Sequence, residues 1–345
     1  MRPRIGITLG DPAGIGPEIV LKALAQPRVR EKIDPLLFGD RAVLDQAMTQ
    51  TGLHLPLHVI GTAGEGPGAA QDGRARGEQR AVPSPEPDQP VPLVEAGQIL
   101  QPVAMGQVDG RCGAAAFGYI RTAIAWALAG EVQALVTAPI NKASLQQGGV
   151  PYIDHSEMLA GLTASPKPMT LFVVDTLRIF FLTKHIPLRR VADALTIPAV
   201  VEGLVESDRG LRQLGLRRRR IAVAALNPHA SDAGLFGDEE ARILAPAVAE
   251  ACRLGLDICG PVPADSVFHL CRQGEYAAVL SLYHDQGHIA AKTLDFHGTV
   301  SFTLGLPFLR TTPDHGTAFA IAGMNQARPE SLIAALLAAA DYCNH

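Results

Sequence analysis

Short runs rich in Val, Ile, Leu and Phe alternate along the chain with longer stretches whose apolar residues recur at helical spacing. The runs predict strands over residues 4–9, 34–38, 132–137, 170–174, 177–182, 220–225, 277–282 and 300–304, since continuous apolar runs of this length suit strands buried on both faces. The longer stretches predict helices over residues 17–25, 114–128, 197–214, 238–253 and 329–340. Pro17 suits a first helical turn, where its missing N–H is no loss. Alternation of this kind reads as an α/β chain with a substantial parallel sheet. One segment breaks the pattern. Residues 63–92 are dense in Gly, Pro and charge and poor in large apolar groups, so they bury too little surface to fold alone and read as a flexible surface insertion.

Composition narrows the class. At 345 residues and 47% hydrophobic content the chain fills the core of one large or two moderate domains. A formal charge of −4 with 1 Trp and 5 Tyr gives no nucleic-acid surface, and the basic run Arg217 to Arg220 reads as a solvated helix end. Cys112, Cys252, Cys259, Cys271 and Cys343 show no C-x-x-C spacing and hence no metal or redox motif. No signal-peptide core opens the sequence, and no apolar stretch reaches the roughly 18 residues that a membrane span needs. A cytoplasmic protein with reduced thiols and no membrane partner is the expectation.

Candidate chemistry gathers where apolar runs end. The stretch SLYHDQGHIAAK (281–292) crowds His284, Asp285, His288 and Lys292 behind such a run, either as a solvated loop or as a site. The same grammar occurs three times, in LRIFFLTKH ending at His185, RIAVAALNPH at His229 and YAAVLSLYH at His284. If those strands share a parallel sheet, the three imidazoles lie along one edge, and three neutral imidazoles hold a divalent metal while leaving positions open for substrate. The competing reading is three separate loop histidines, which spacing alone does not exclude. The segment GDPAGIGPE (10–18) sits where a phosphate-binding turn would, but Ile19 stands in place of the third glycine of G-x-G-x-x-G. Asp40 ends the next strand as a ribose-binding acid would, but the match is partial, and a tight strand-to-helix turn is the preferred reading over an ordinary dinucleotide site. Asp154 or Ser156 suits a helix cap, while His155 and Ser156 also suit a phosphate.

Taken in order, GDPAGIGPE, VTAPINK, TKHIPLRRVADALT, LNPHASDAGLFGDEE, GPVPADSVF, YHDQGH and TLGLPFLRTTPDHGTAFAIAG resemble the 4-hydroxythreonine-4-phosphate dehydrogenase (PdxA) family, including its threonate/erythronate-4-phosphate and terephthalate dihydrodiol dehydrogenase paralogues. The resemblance implies an isocitrate/isopropylmalate dehydrogenase-like α/β fold, one 345-residue chain with two interleaved subdomains around a central cleft. It implies NAD, or NADP, and one divalent metal (Zn, Co or Mg) held by His185, His229 and His284 in a homodimer whose site draws on both chains. Substrate contacts carry over to His155, Ser156, Lys292, Ser301 and Arg310, and nucleotide contacts to His315, Gly316 and Thr317. Lys292, Asp265 and Asp285 are the residues for proton transfer or metal support.

The expected reaction is oxidation of a secondary alcohol in a small phosphorylated hydroxy acid, foremost 4-phosphooxy-L-threonine, with decarboxylation to 3-amino-2-oxopropyl phosphate on the route to pyridoxal phosphate. The alternatives are a D-threonate or D-erythronate 4-phosphate dehydrogenase and a cis-dihydrodiol carboxylate dehydrogenase. From another class comes a three-histidine zinc hydrolase or lyase, against which HGTAFAIAG argues by its likeness to a nucleotide-contacting loop. Two departures touch the phosphate pocket: Asp154-His155-Ser156-Glu157 stands where family members commonly carry Gly-His-Thr-Glu, and Ser301 where they carry Asn. His288 brings YHDQGH closer to the threonate/erythronate-4-phosphate paralogues or the terephthalate dihydrodiol dehydrogenases than to the biosynthetic enzymes, although a plain loop cap also accounts for it.

Overall fold

The strands among the described residues separate into two sets of six, one in each of two compact units: Met1–Pro168 with Leu306–His345, and Met169–Gly305. The structure is a computed structural model that describes residues 2–62, 89–165 and 167–343. None of its described helices is long and apolar enough to cross a membrane.

The first unit holds β1 (Arg4–Thr8), β2 (Asp34–Gly39), β3 (Leu57–Thr62), β4 (Val91–Glu95), β5 (Ala134–Thr137) and, after the excursion into the second unit, β12 (Leu309–Pro313). Their order is β3-β4-β2-β1-β5-β12, and each neighbouring pair runs parallel. Ile5 and Ile7 of β1 are fully buried, as a strand covered on both faces requires. Chain order runs outward from β1 to β2 on one side and returns to β5 on the other, so the β1–β5 boundary is a topological switch point, where open α/β sheets bind ligands beyond the strands' carboxyl ends. Glu18, in the helix Gly16–Leu24, accepts from Lys22 Nζ at 2.7 Å and from the Ala327 backbone at 2.8 Å, tying that helix to the segment ahead of the helix Glu330–Cys343.

The second unit holds β6 (Met169–Val174), β7 (Leu177–Phe181), β8 (Ile221–Ala224), β9 (Ile258–Val262), β10 (Ala278–Ser281) and β11 (Val300–Leu304), in the order β11-β6-β7-β10-β8-β9. β6 and β7 form a hairpin that turns through Asp175 at φ +54°, while β7, β10, β8 and β9 run parallel. Phe172, Ile179, Phe181 and Val279 belong to its core.

The eight expected strands are all present, with ends shifted by a residue or two. β3, β4, β9 and β12 escaped the pattern. Pro92, Pro261 and Pro313 interrupt three of them, and β3 and β9 are edge strands, where one unpaired side tolerates a mixed composition. The helix expected over 238–253 begins instead as a π turn, Glu240–Leu244, ahead of the α-helix Ala245–Arg253. Pro246 lacks the N–H that a continuous α-helix would use there, and a wider turn absorbs the loss. The expected insertion at 63–92 lies outside the described residues up to residue 88, and its last part is corrected: Val91 and Pro92 belong to β4, with Leu93 paired to Leu37 of β2.

Candidate functional site

The three histidine-bearing strand ends are neighbours. β7 and β8 both pair in parallel with β10, so their carboxyl ends share one edge. Pairing continues past the strands: Leu182 N–H donates to Ser281 O at 2.8 Å, and both the N–H and the hydroxyl of Thr183 donate to Leu282 O, at 3.2 and 2.7 Å. This zipped connection brings the rings of His185 and His284 to a centroid distance of 5.9 Å.

Residues 284–294 are not a loop. His284 opens the helix His284–Leu294, and its Nδ1 lies 2.6 Å from Asp285 Oδ1, which leaves Nε2 as the nitrogen that Asp285 does not engage. Gln286, not anticipated from the sequence, is buried and bridges two strand ends: its Oε1 accepts from Leu282 N–H at 2.8 Å and its Nε2 donates to Ala225 O at 2.8 Å. His288, read as a plain loop cap, is inside this helix instead and packs on Phe172 and Phe181.

His229 is placed differently. Residues 229–233 all adopt left-handed backbone, with φ between 46° and 68°, although none is glycine. Such conformations cost roughly 1 kcal/mol or more each and mark functional loops. Glu240 anchors the loop by accepting from the Leu226 and Asn227 N–H groups at 2.9 and 2.8 Å. Beyond it Leu235 and Phe236 are exposed, at 71% and 48%. Among the described residues of this one chain, no three His, Cys, Asp or Glu side chains gather closely enough to hold a metal ion. The chain therefore brings together the rings of His185 and His284, while His229 is exposed on the left-handed loop that follows β8.

The other residues singled out in this unit scatter. Asp265 is exposed in the first turn of the helix Ala264–Arg272. Lys292 lies about two turns along the helix from His284, with Nζ 5.2 Å from the Phe296 ring centroid. Ser301 is mostly buried in β11, opposite Phe172.

In the first unit, loops at the switch point meet. Asp11 N–H donates to Pro139 O at 2.9 Å and Ile15 N–H to Thr317 O at 3.1 Å, so the β1 turn, the β5 loop and the His315–Gly316–Thr317 loop are bonded together. A Cβ on Gly14 would lie 3.0 Å from Thr317 Cβ, so the missing side chain permits this approach. Beside them Arg310 of β12 is buried and donates through Nη2 to Thr137 Oγ1 at 2.6 Å. Burial pulls its guanidinium down to about 9, against the opposing pull of Asp154. His155 Nε2 is buried with no hydrogen-bond partner, and burial, reinforced by Arg310, holds that imidazole well below its usual range and therefore neutral near pH 7. Asp154 caps the helix His155–Thr163 by accepting from the N–H groups of Ser156 and Glu157 at 2.9 and 3.1 Å, and Lys142 Nζ stands 3.9 Å from it. Its charge is thus engaged locally, and Ser156 stays exposed on the first turn.

The ribose-acid reading of Asp40 is corrected. Its carboxylate is 4% exposed and accepts from the Gly97 and Ile99 N–H groups and the Tyr119 hydroxyl. Every one of these partners belongs to its own chain.

The family model described as pyridoxal phosphate biosynthetic protein PdxA matches residues 31–339. The chain belongs to the PdxA family. Curated relatives carry the name "Putative D-threonate 4-phosphate dehydrogenase". The one from Symbiobacterium thermophilum is 47% identical over 341 residues, 99% of this chain and 97% of the relative. The one from Clostridium botulinum strain Hall is 44% identical over 342 residues, again 99% and 97%. Among solved structures, the 4-hydroxythreonine-4-phosphate dehydrogenase from Klebsiella pneumoniae is 37% identical with a TM-score of 0.84, covering 100% of this chain and 99% of that one. The protein is accordingly a PdxA-family dehydrogenase, and the hydrolase or lyase reading is set aside.

Proposed function

We propose that this PdxA-family dehydrogenase oxidises the secondary alcohol of a 3-hydroxy-4-phosphooxybutanoate, with D-threonate 4-phosphate as the leading substrate and 4-phosphooxy-L-threonine as the second reading. The leading choice rests on the higher identity to the relatives of that name. The phosphate is supported chiefly by the pairing of buried Arg310 with the unpartnered Nε2 of His155 at the switch point of the first unit. Arg310 supplies a guanidinium fork, His155 Nε2 and Ser156 Oγ supply further hydrogen bonds, and Lys142 beside Asp154 offsets the carboxylate that would otherwise repel a dianion.

His185 and His284 are the residues of one chain that would hold a divalent cation, with Asp285 fixing the tautomer of His284. When bound, the cation supplies a Lewis acid at the substrate hydroxyl and a nicotinamide supplies the hydride acceptor. Lys292 neutralises the substrate carboxylate until oxidation at C3 makes a β-keto acid, which loses carbon dioxide readily. From D-threonate 4-phosphate the product is dihydroxyacetone phosphate, and from the amino substrate 3-amino-2-oxopropyl phosphate. The deciding experiment compares turnover of both substrates and of dephosphorylated D-threonate, read as reduced nicotinamide. Arg310→Ala should lower kcat/KM for the phosphorylated compound about 10–150-fold, the equivalent of about 1.5–3 kcal/mol. Equal kcat/KM with and without the phosphate would remove the anion cradle and favour a dihydrodiol-type substrate.

The reading extends to a homodimer in which the third imidazole, His229, comes from the second copy. The lack of a three-ligand cluster among the described residues of one chain supports this, as does exposed apolar surface on the same segments: Ile186 and Leu188 just after His185, and Leu235 and Phe236 on the chain beyond His229. Mixing His185→Ala with His229→Ala protein after subunit exchange should restore about a quarter of wild-type activity, because each mixed dimer then keeps one complete set of ligands. The pair His185→Ala and His284→Ala should restore none. Restoration by the second pair and not the first would reverse the assignment.

A further inference from the structure

His288 takes no part in the reaction proposed above, yet its ring is held on several sides. One turn beyond His284, it occupies the position that an α-helix places on the same face. Its ring lies flat against that of His284, with centroids 3.6 Å apart and planes 11° from parallel. Its Nδ1 is 2.9 Å from His284 O. On the sheet side Phe172 and Phe181 close on it at centroid distances of 4.3 and 4.6 Å. Gly287 allows this approach, since a Cβ there would stand 2.6 Å from the Phe181 ring. The His284 ring is consequently fixed at its edge by Asp285 and on one face by His288, while its remaining nitrogen is directed away from both.

We propose that His288 is a positioning residue: stacked on His284 and clamped by Phe172 and Phe181, it holds the His284 imidazole with Nε2 presented to a divalent cation and so sets the cation affinity of this centre. The inference rests on the reading of His284 as a ligand. A flat ring at 288 removes the rotamer freedom that His284 would otherwise lose on binding a cation, and the pre-organised ligand binds more tightly.

The test measures Zn2+ affinity of the full-length protein by competition with a chromophoric chelator, alongside far-ultraviolet circular dichroism and thermal melting. His288→Leu refills the space between Phe172 and Phe181, so the fold and the melting point should hold, while Zn2+ affinity should fall roughly 10–100-fold, as for other residues that orient a metal ligand. His288→Phe keeps a flat ring against His284 and should recover affinity to within roughly threefold of wild type. At saturating cation kcat should return in both variants, a split that a purely structural defect would not produce. His284→Ala is the control for the underlying reading and should abolish binding. If it does, and His288→Leu still binds Zn2+ as wild type does, the positioning role is refuted. If His284→Ala itself binds as wild type, the cation centre falls and the inference with it.

Discussion

The His284→Ala enzyme is expected to lose about three orders of magnitude in kcat/KM while remaining folded. A divalent cation contributes several kcal/mol to stabilising a developing alkoxide, and about 4 kcal/mol corresponds to roughly a thousandfold in rate. His284 is half-exposed and has neighbours on only part of its surface, so truncation removes little core packing. The loss should therefore appear in turnover and cation content, with the melting point nearly unchanged. Chelation should silence the wild type in the same way, and added Zn2+ or Co2+ should restore the wild type but not His284→Ala. Full turnover by the variant after exhaustive chelation would show that the reaction needs no cation at this position. His185→Ala should match it, because the two rings are neighbours in one chain.

Asp40→Ala is expected to produce the largest loss of stability, about 3–4 kcal/mol. Oδ1 accepts from Gly97 N–H at 2.9 Å, and Oδ2 from Ile99 N–H at 2.9 Å and Tyr119 OH at 2.8 Å. Tyr119 is fully buried, so its hydroxyl has no water to turn to. Burial already raises the Asp40 carboxyl above its ordinary range despite these three donors. Removing it strands all three at about 1–3 kcal/mol apiece, less whatever water enters the cavity. Asp40→Asn keeps one acceptor and should lose less. The measurement is the shift of the urea midpoint at constant slope. A shift worth under about 1 kcal/mol would mean that water replaces the carboxylate. The KM for the nicotinamide should not change, since the carboxylate is already engaged by its own chain; a large increase would reinstate the ribose-binding role.

The sequence by itself determined the α/β class, the eight apolar strands and the placement of three histidines after three of them, because burial on two faces demands continuous apolar runs and a run ends visibly where polar residues begin. It also carried the family, through motifs long enough to survive local change. Tertiary structure decided the rest, for reasons that lie in contacts between distant residues. β12, which bears Arg310, is absent from the apolar pattern and becomes a strand through its pairing with β5. Asp40 resembles a ligand-binding acid until Gly97, Ile99 and Tyr119 close on it from more than fifty positions away. Residues 229–233 hold a left-handed backbone that no glycine announces, and Glu240 ties down the residues just ahead of them from outside the loop. His284 and His288 look like scattered loop histidines in the sequence. They become a stacked pair only because the chain turns helical at 284 and Gly287 lets that helix settle against Phe172 and Phe181.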